Sequence, residues 1–89
     1  MIVHVTSVKV VGPQSLELAF DNGVHKRVNL RRDLYGPVFE PLRDPAYFTR
    51  VALDPDTGTV VWPNGADFAP DYLFQLEPEE VPAQATPTP

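Results

Sequence analysis

Residues 61–67 place the only tryptophan of the chain, Trp62, shortly before an Asn-Gly pair. Because asparagine and glycine tolerate positive φ, Asn64 and Gly65 predict a tight turn. Trp62 brings a large buriable surface to the point where the backbone reverses. Asp67 has a short carboxylate that can accept hydrogen bonds from nearby backbone N–H groups, so we interpret it as the cap of this turn.

A second Asn-Gly pair, Asn22-Gly23, separates two runs in which apolar and polar residues alternate, 15–20 and 24–30. Alternation with a period of two predicts half-buried strands, and the pair between them predicts an antiparallel hairpin. Residues 2–11 are rich in valine and predict a further strand. The apolar phase of this strand changes near Thr6-Ser7, which a β-bulge would explain.

Prolines divide the middle of the chain into short pieces. Pro37, Pro41 and Pro45 exclude a long helix or strand there, because each lacks an N–H donor and restricts the preceding residue. Asp44 followed by Pro45 predicts the start of a short helix. Proline 70, between Ala69 and Asp71, predicts a final short helix in the same way.

A second hairpin is predicted from residues 50–54 and 59–62. The sequence therefore indicates an α+β domain in which two antiparallel hairpins, five short strands in all, form one sheet with one to three short helices. We expect this domain to span 1–77. Residues 78–89 contain four prolines and no large apolar residue after Val81, so they predict a disordered Pro/Thr-rich tail.

The charges of the 89-residue chain are unevenly distributed. All lysines and arginines lie between Lys9 and Arg50, and the net charge is −5. Such a charge opposes non-specific binding to nucleic acid, although a basic patch could form locally. This patch is the basis of an alternative function as a nucleic-acid-associated regulator, and it consists of Lys26, Arg27, Arg31 and Arg32.

Motifs for catalysis are absent from the sequence. Ser7 and Ser15 are the only serines, and neither lies in a nucleophile elbow. His4 and His25 have no third ligand at metal-binding spacing, so we predict no metal and no cofactor. Cysteine is also absent, and no apolar run could span a bilayer. We expect a cytoplasmic protein that is not an enzyme and does not bind a membrane.

Three aromatic residues near the second Asn-Gly turn are open to two interpretations. They could pack into the core, or they could line an exposed groove that binds a protein partner. Self-association would also stabilise so small a domain. The candidate partner surface consists of Trp62, Phe68 and Tyr72.

Three separated motifs resemble the domain-of-unknown-function family 2442. The first is the run 16–23, Leu-Glu-Leu-Ala-Phe-Asp-Asn-Gly, and the second is the run 36–45, which is followed by Phe48. The third is the run 61–67, Val-Trp-Pro-Asn-Gly-Ala-Asp, followed by Leu73. The resemblance covers residues 2–76 in the expected order and does not extend into the tail.

The resemblance implies an α+β fold and carries no activity, cofactor or catalytic residues. Members of the family are often encoded beside another small protein, which implies a toxin–antitoxin arrangement. We therefore expect a non-enzymatic protein-interaction module, with the antitoxin-like half of a two-gene pair as one form of it. Relatives with an added helix-turn-helix imply regulation. This chain has a proline-rich tail at that place, so we do not expect it to bind DNA on its own.

Overall fold

The computed structural model describes residues 2–79 and contains two antiparallel sheets. The larger sheet has the order β1-β2-β3, in which β1 is Val5–Gly12, β2 is Ser15–Phe20 and β3 is His25–Asn29. The register between β1 and β2 shifts between Val5 and Ser7. This shift confirms the predicted bulge near Thr6-Ser7, and it turns the later valines of β1 to the face required by the apolar pattern.

The second hairpin forms a sheet of its own. It consists of β4, Ala52–Asp54, and β5, Thr59–Val61. The prediction of one sheet is therefore wrong, although the α+β class and the two hairpins are confirmed. The hairpin meets β1 through its turn, where the Val5 N–H donates to the Gly58 carbonyl at 2.7 Å. This hydrogen bond at the turn does not continue as a ladder between β1 and the strands of the second hairpin.

Short helical segments connect and cover the sheets. Two single 3₁₀ turns span Arg31–Asp33 and Glu40–Arg43. Helix α1 spans Pro45–Phe48, and helix α2 spans Pro70–Gln75. Both α-helices begin with proline, as predicted, because proline has the φ of a helix and no N–H to leave unpaired.

The N-terminus of α1 is capped by the residue before it. The Asp44 side chain accepts a hydrogen bond from the Ala46 N–H at 3.1 Å, which satisfies one of the free donors of the first turn. The cap therefore has the role that the Asp44-Pro45 pair predicted.

One core joins the two sheets and the helices. It is formed by apolar side chains from both sheets, the helices and the connecting segments, which therefore share a single contact cluster. The buried apolar residues are Val3, Val5, Leu16, Leu18, Phe20, Val28, Leu30, Leu34, Leu42, Phe48, Val60, Trp62, Ala66, Phe68 and Leu73.

The two Asn-Gly turns have the same hydrogen-bond pattern. In each, the glycine N–H donates to the carbonyl of the aromatic residue three positions earlier, Phe20 or Trp62. The asparagine Oδ1 accepts from the N–H two positions later, at 3.1 Å in both turns. Gly23 and Gly65 both have φ of +89°, the left-handed region that glycine adopts without strain.

The cap of the second turn is Asn64, which corrects the assignment of Asp67. The Asn64 Oδ1 accepts from the Ala66 N–H, and its amide nitrogen donates to the Val38 carbonyl at 2.8 Å. Asp67 instead lies beyond the turn, where its backbone forms an isolated bridge with Val61. Asparagine is preferred here because its amide both donates and accepts, whereas a carboxylate only accepts.

The described contacts continue past the predicted domain boundary at residue 77. The Glu79 N–H donates to the Arg27 carbonyl of β3 at 2.7 Å. Residues 80–89, where a disordered tail is predicted, lie outside the described residues, so that part of the prediction stays a prediction.

A substitution at the junction of the sheets should reduce stability more than the same substitution in an open turn. A Cβ on Gly58 would overlap the His4 ring and lie 2.9 Å from the His4 Cβ, and Gly58 has φ of +67°. We expect Gly58→Ala to lower the free energy of unfolding by about 2–3 kcal/mol. Urea denaturation followed by Trp62 fluorescence measures the change.

Gly23→Ala is the matched control for this substitution. Gly23 has a similar positive φ but no atom within 4 Å of the added Cβ, so only backbone strain of about 1 kcal/mol is expected. Equal losses for the two variants would contradict the steric role of the contact between Gly58 and His4.

Candidate functional site

Two of the three aromatic residues predicted to form a partner surface are buried. Trp62 is 3% exposed and Phe68 is 8% exposed, whereas Tyr72 is 44% exposed. The partner surface predicted from these three residues therefore has to be corrected. The sequence left open whether these rings pack into the core or line an exposed groove. Trp62 and Phe68 pack into the core, and their burial stabilises it by removing a large aromatic area from water.

Trp62 is anchored by a hydrogen bond as well as by packing. Its Nε1–H donates to the Phe48 carbonyl at 3.0 Å, so the polar atom of the buried indole is satisfied. Its ring lies 5.5 Å from the Phe48 ring and 6.0 Å from the Phe68 ring, measured between centroids. Trp62 thus links the second Asn-Gly turn to helix α1.

Tyr72 lies on the exposed side of this aromatic cluster. Its ring stacks on Phe68 at 6.0 Å, and its hydroxyl donates a hydrogen bond to the Asp33 carboxylate. This hydrogen bond is the main reason that the pKa of Tyr72 rises to about 12, with smaller contributions from desolvation and from the charges of Asp33 and Tyr35. Tyr35 itself is 70% exposed.

The four residues of the predicted basic patch do not form one free surface. The Lys26 ammonium donates to the carbonyls of Phe74 and Leu76, at 2.8 Å in the case of Leu76. The Arg27 Nε donates to the Glu79 carboxylate at 2.9 Å. Both cations are thus held by the end of helix α2 and the residues that follow it, so they are less available to phosphate groups.

Arg31 and Arg32 remain exposed. Within residues 2–79, neither makes an ion pair with a carboxylate. Together with Asn29, Asp33, Leu76, Glu77 and Glu79, they line a surface cavity of about 580 Å³. The lining thus carries both signs of charge, and Arg31 and Arg32 are the cations there that can bind an acidic group of a partner.

Glu79 receives hydrogen bonds from three side chains of two adjacent strands. Ser15 Oγ and Arg27 Nε donate to Oε1 at 2.7 and 2.9 Å, and Asn29 Nδ2 donates to Oε2 at 3.3 Å. Desolvation acts to raise the pKa of Glu79, but these hydrogen bonds and the Arg27 charge outweigh it and lower that pKa. We call Ser15, Arg27 and Asn29 the carboxylate clasp.

The clasp lies on the face of the larger sheet opposite the core. Ser15 pairs with Asn29 across β2 and β3, and Arg27 follows at a spacing of two, so all three share one face. Lys26 belongs to the other face, and it contacts Phe74, whose ring packs edge-on against Phe20 at 5.2 Å. Residues 74–79 therefore wrap around the edge of β3 from the core face to the outer face.

His4 and Asp21 form a pair at the opposite side of the larger sheet. The His4 Nδ1 lies 3.0 Å from Asp21 Oδ2, and the Asp21 Oδ1 accepts from the His4 N–H at 3.2 Å. The side-chain hydrogen bond with His4 is the main cause of a lowered Asp21 pKa.

Within residues 2–79, no group of three metal-ligating side chains is present, and His25 lies exposed at the start of β3.

Comparison with protein families agrees with the resemblance of the motifs. The family model described as protein of unknown function (DUF2442) matches residues 5–79. The chain belongs to this family. The match ends at Glu79, so the DUF2442 region includes the wrap around β3. No curated protein and no solved structure matches the chain.

In residues 2–79, the longest helix has six residues, and no helix could traverse a bilayer.

Sequence reasoning missed the carboxylate clasp. Its members lie up to 64 residues before Glu79, the residue that they bind, and Ser15 and Asn29 carry no local signal of a shared ligand. The acidic start of the C-terminal segment, with Glu77 and Glu79, was the one available sign, because its charge opposes that of the basic first half. In the structure, Glu79 meets Arg27 of its own chain.

Glu79→Gln should destabilise the protein at neutral pH and reduce its acid sensitivity. The lowered pKa means that Glu79 stabilises the fold above its ordinary value of 4.5, and that this contribution is lost as the pH falls through the folded-state pKa. We expect a loss of about 1 kcal/mol at pH 7 and a flatter stability profile below pH 4.5. Urea denaturation across pH 3–7 measures both. Glu77→Gln is the control, and equal effects would contradict the role of the clasp.

Asp33→Asn should lower the pKa of Tyr72. The substitution removes the negative charge that opposes formation of tyrosinate, so the pKa should fall from about 12 toward 10. Spectrophotometric titration of the three tyrosines, compared with Tyr72→Phe, identifies the contribution of Tyr72. Asp56→Asn, in the turn between β4 and β5, should leave the titration curve unchanged. An unchanged curve for Asp33→Asn would contradict the hydrogen bond.

Proposed function

We propose that this domain is a non-enzymatic protein-interaction module that binds a protein partner through the tyrosine surface, which we define as Tyr35 and Tyr72 with Arg31 and Arg32. The observation that carries this proposal is the pair of exposed tyrosines beside two arginines that lack an acidic partner within residues 2–79. Tyrosine and arginine are the residues that most often provide binding energy at protein interfaces.

Tyr72 is held in place before a partner arrives. The hydrogen bond to Asp33 and the stacking on Phe68 fix the Tyr72 ring, so little side-chain entropy remains to be lost. The partner that fits this surface offers an apolar group to the rings and carboxylates to Arg31 and Arg32. Val38, which is also exposed, lies next to Phe39, whose ring packs against Phe68 at 5.0 Å.

The partner in this proposal is the product of an adjacent gene, with the present chain as the antitoxin-like member of the pair. The gene arrangement implied by the family resemblance supports this assignment. The absence of cysteine in this chain fits a cytoplasmic location for it. The alternative of a nucleic-acid-associated regulator has less support. Residues 74–79 engage Lys26 and Arg27, so only two of the four cations in the predicted basic patch stay exposed.

Co-expression with the product of the adjacent gene tests the proposal. The tagged full chain should retain that product through purification and relieve its effect on growth. Tyr35→Ala and Tyr72→Ala should each weaken binding at least about tenfold, as expected for interface aromatics. Titration calorimetry gives the dissociation constants.

Ile2→Ala is the control, because Ile2 is exposed and apolar but belongs to another part of the molecule. Failure of the wild-type chain to bind, or equal binding by all the variants, would contradict the proposal.

A further inference from the structure

The edge of β3 has backbone groups that point away from the sheet. Alternate residues of an edge strand direct both N–H and C=O outward. The bond from Glu79 to the Arg27 carbonyl shows that Arg27 is one of these residues, so the spacing of two adds His25 and Asn29. Among residues 2–79, only the Glu79 N–H bonds to this outer edge, at Arg27, so an extended segment of a partner could bond at His25 and Asn29 as well.

The carboxylate clasp lies beside this edge and recognises a carboxylate with side chains from two strands. Ser15 is 2% exposed, so its hydroxyl lies in a site covered by the bound carboxylate. Asn29 Nδ2 also donates to Ser15 Oγ at 3.0 Å, which orients the hydroxyl toward Glu79. A main-chain bond at the edge, together with a specific side-chain site, is the arrangement by which proteins bind peptides as added strands.

We propose that the carboxylate clasp and the outer edge of β3 form a binding site for an extended acidic segment of the protein partner, and that Glu79 occupies this site in cis. The inference rests on the proposed function, because it assigns this segment to the same partner. The cavity lined by Asn29 of the clasp and by Arg31 and Arg32 of the tyrosine surface borders both places. One partner can therefore contact both places.

Occupation by Glu79 makes partner binding selective. The cis segment holds the site at the high effective concentration of a short tether, on the order of millimolar. It uses one main-chain bond and one carboxylate. A partner segment that spans β3 gains further main-chain bonds at His25 and Asn29 while it supplies the same carboxylate. A short acidic peptide without these contacts does not displace Glu79.

A peptide that copies the cis occupant tests the site. The probe is fluorescein-Gln-Leu-Glu-Pro-Glu-amide, the sequence of residues 75–79, and fluorescence anisotropy reports its binding. Full-length Glu79→Ala should bind the probe at least about tenfold more tightly than the wild-type chain, because the clasp is vacant. A probe that ends in Gln should bind Glu79→Ala about tenfold more weakly, because the charge-assisted hydrogen bonds are lost.

Double variants locate the binding. Arg27→Ala in the Glu79→Ala background should abolish the affinity for the probe, whereas Lys9→Ala, a cation of β1, should leave it unchanged. Circular dichroism checks the fold of each variant, and Glu79→Gln replaces Glu79→Ala if the latter is unfolded. The proposal would be overturned if the wild-type chain and Glu79→Ala bound the probe with equal affinity. It would also be overturned if Glu79→Ala bound the probes that end in Glu and in Gln equally well.

Two further measurements separate this inference from its alternatives. Tyr35→Ala in the Glu79→Ala background should bind the probe normally, so loss of the tyrosine surface and loss of the clasp give different results. Sedimentation of the wild-type chain should show a monomer. A dimer that dissociates in Arg27→Ala would instead assign the site to residues 77–79 of a second copy and overturn the partner assignment.

Discussion

The contact between residues 74–79 and the edge of β3 holds helix α2 over the larger sheet. Lys26 binds the carbonyls at the C-terminal end of that helix, where a cation is also favoured by the helix dipole. Arg27 and its neighbours then fix Glu79 on the opposite face. Because α2 supplies Leu73 to the core and Tyr72 to the surface, this wrap positions buried and exposed groups together.

A protein this small has a thin core, and the fold compensates with hydrogen bonds placed at its junctions. The Trp62 side chain donates a hydrogen bond to the carbonyl of Phe48, the last residue of helix α1. The Gly58 carbonyl accepts one from Val5, the first residue of β1. Asn64 connects the second turn to residue 38. These bonds link segments that are far apart in sequence, so the two sheets share one core although no ladder joins them.

The sequence predicts those parts of the fold that depend on neighbouring residues. The hairpin at Asn22-Gly23, the bulge near Thr6-Ser7 and the helix starts at Pro45 and Pro70 follow from turn chemistry and from the period of apolar residues. Local signals do not determine which strands pair across long distances, so the separation into two sheets was not predicted.

The candidate site was harder to predict for the same reason. A run of aromatic residues has the same pattern whether it is buried or exposed, and packing decides that Trp62 is covered while Tyr72 is not. The basic run likewise gave no sign that Lys26 and Arg27 face a segment about fifty residues later. The exposed tyrosines and the carboxylate clasp emerge only when these segments are brought together.

Amide hydrogen exchange of the full chain, measured residue by residue by NMR, tests the wrap most directly. The Glu79 N–H is bonded to the Arg27 carbonyl, whereas Glu77 is exposed and serves as the internal reference. We expect exchange at Glu79 to be at least about tenfold slower than its intrinsic rate, and this protection to be lost in Arg27→Ala. Equal, unprotected exchange at Glu77 and Glu79 would show that the segment does not hold the edge of β3.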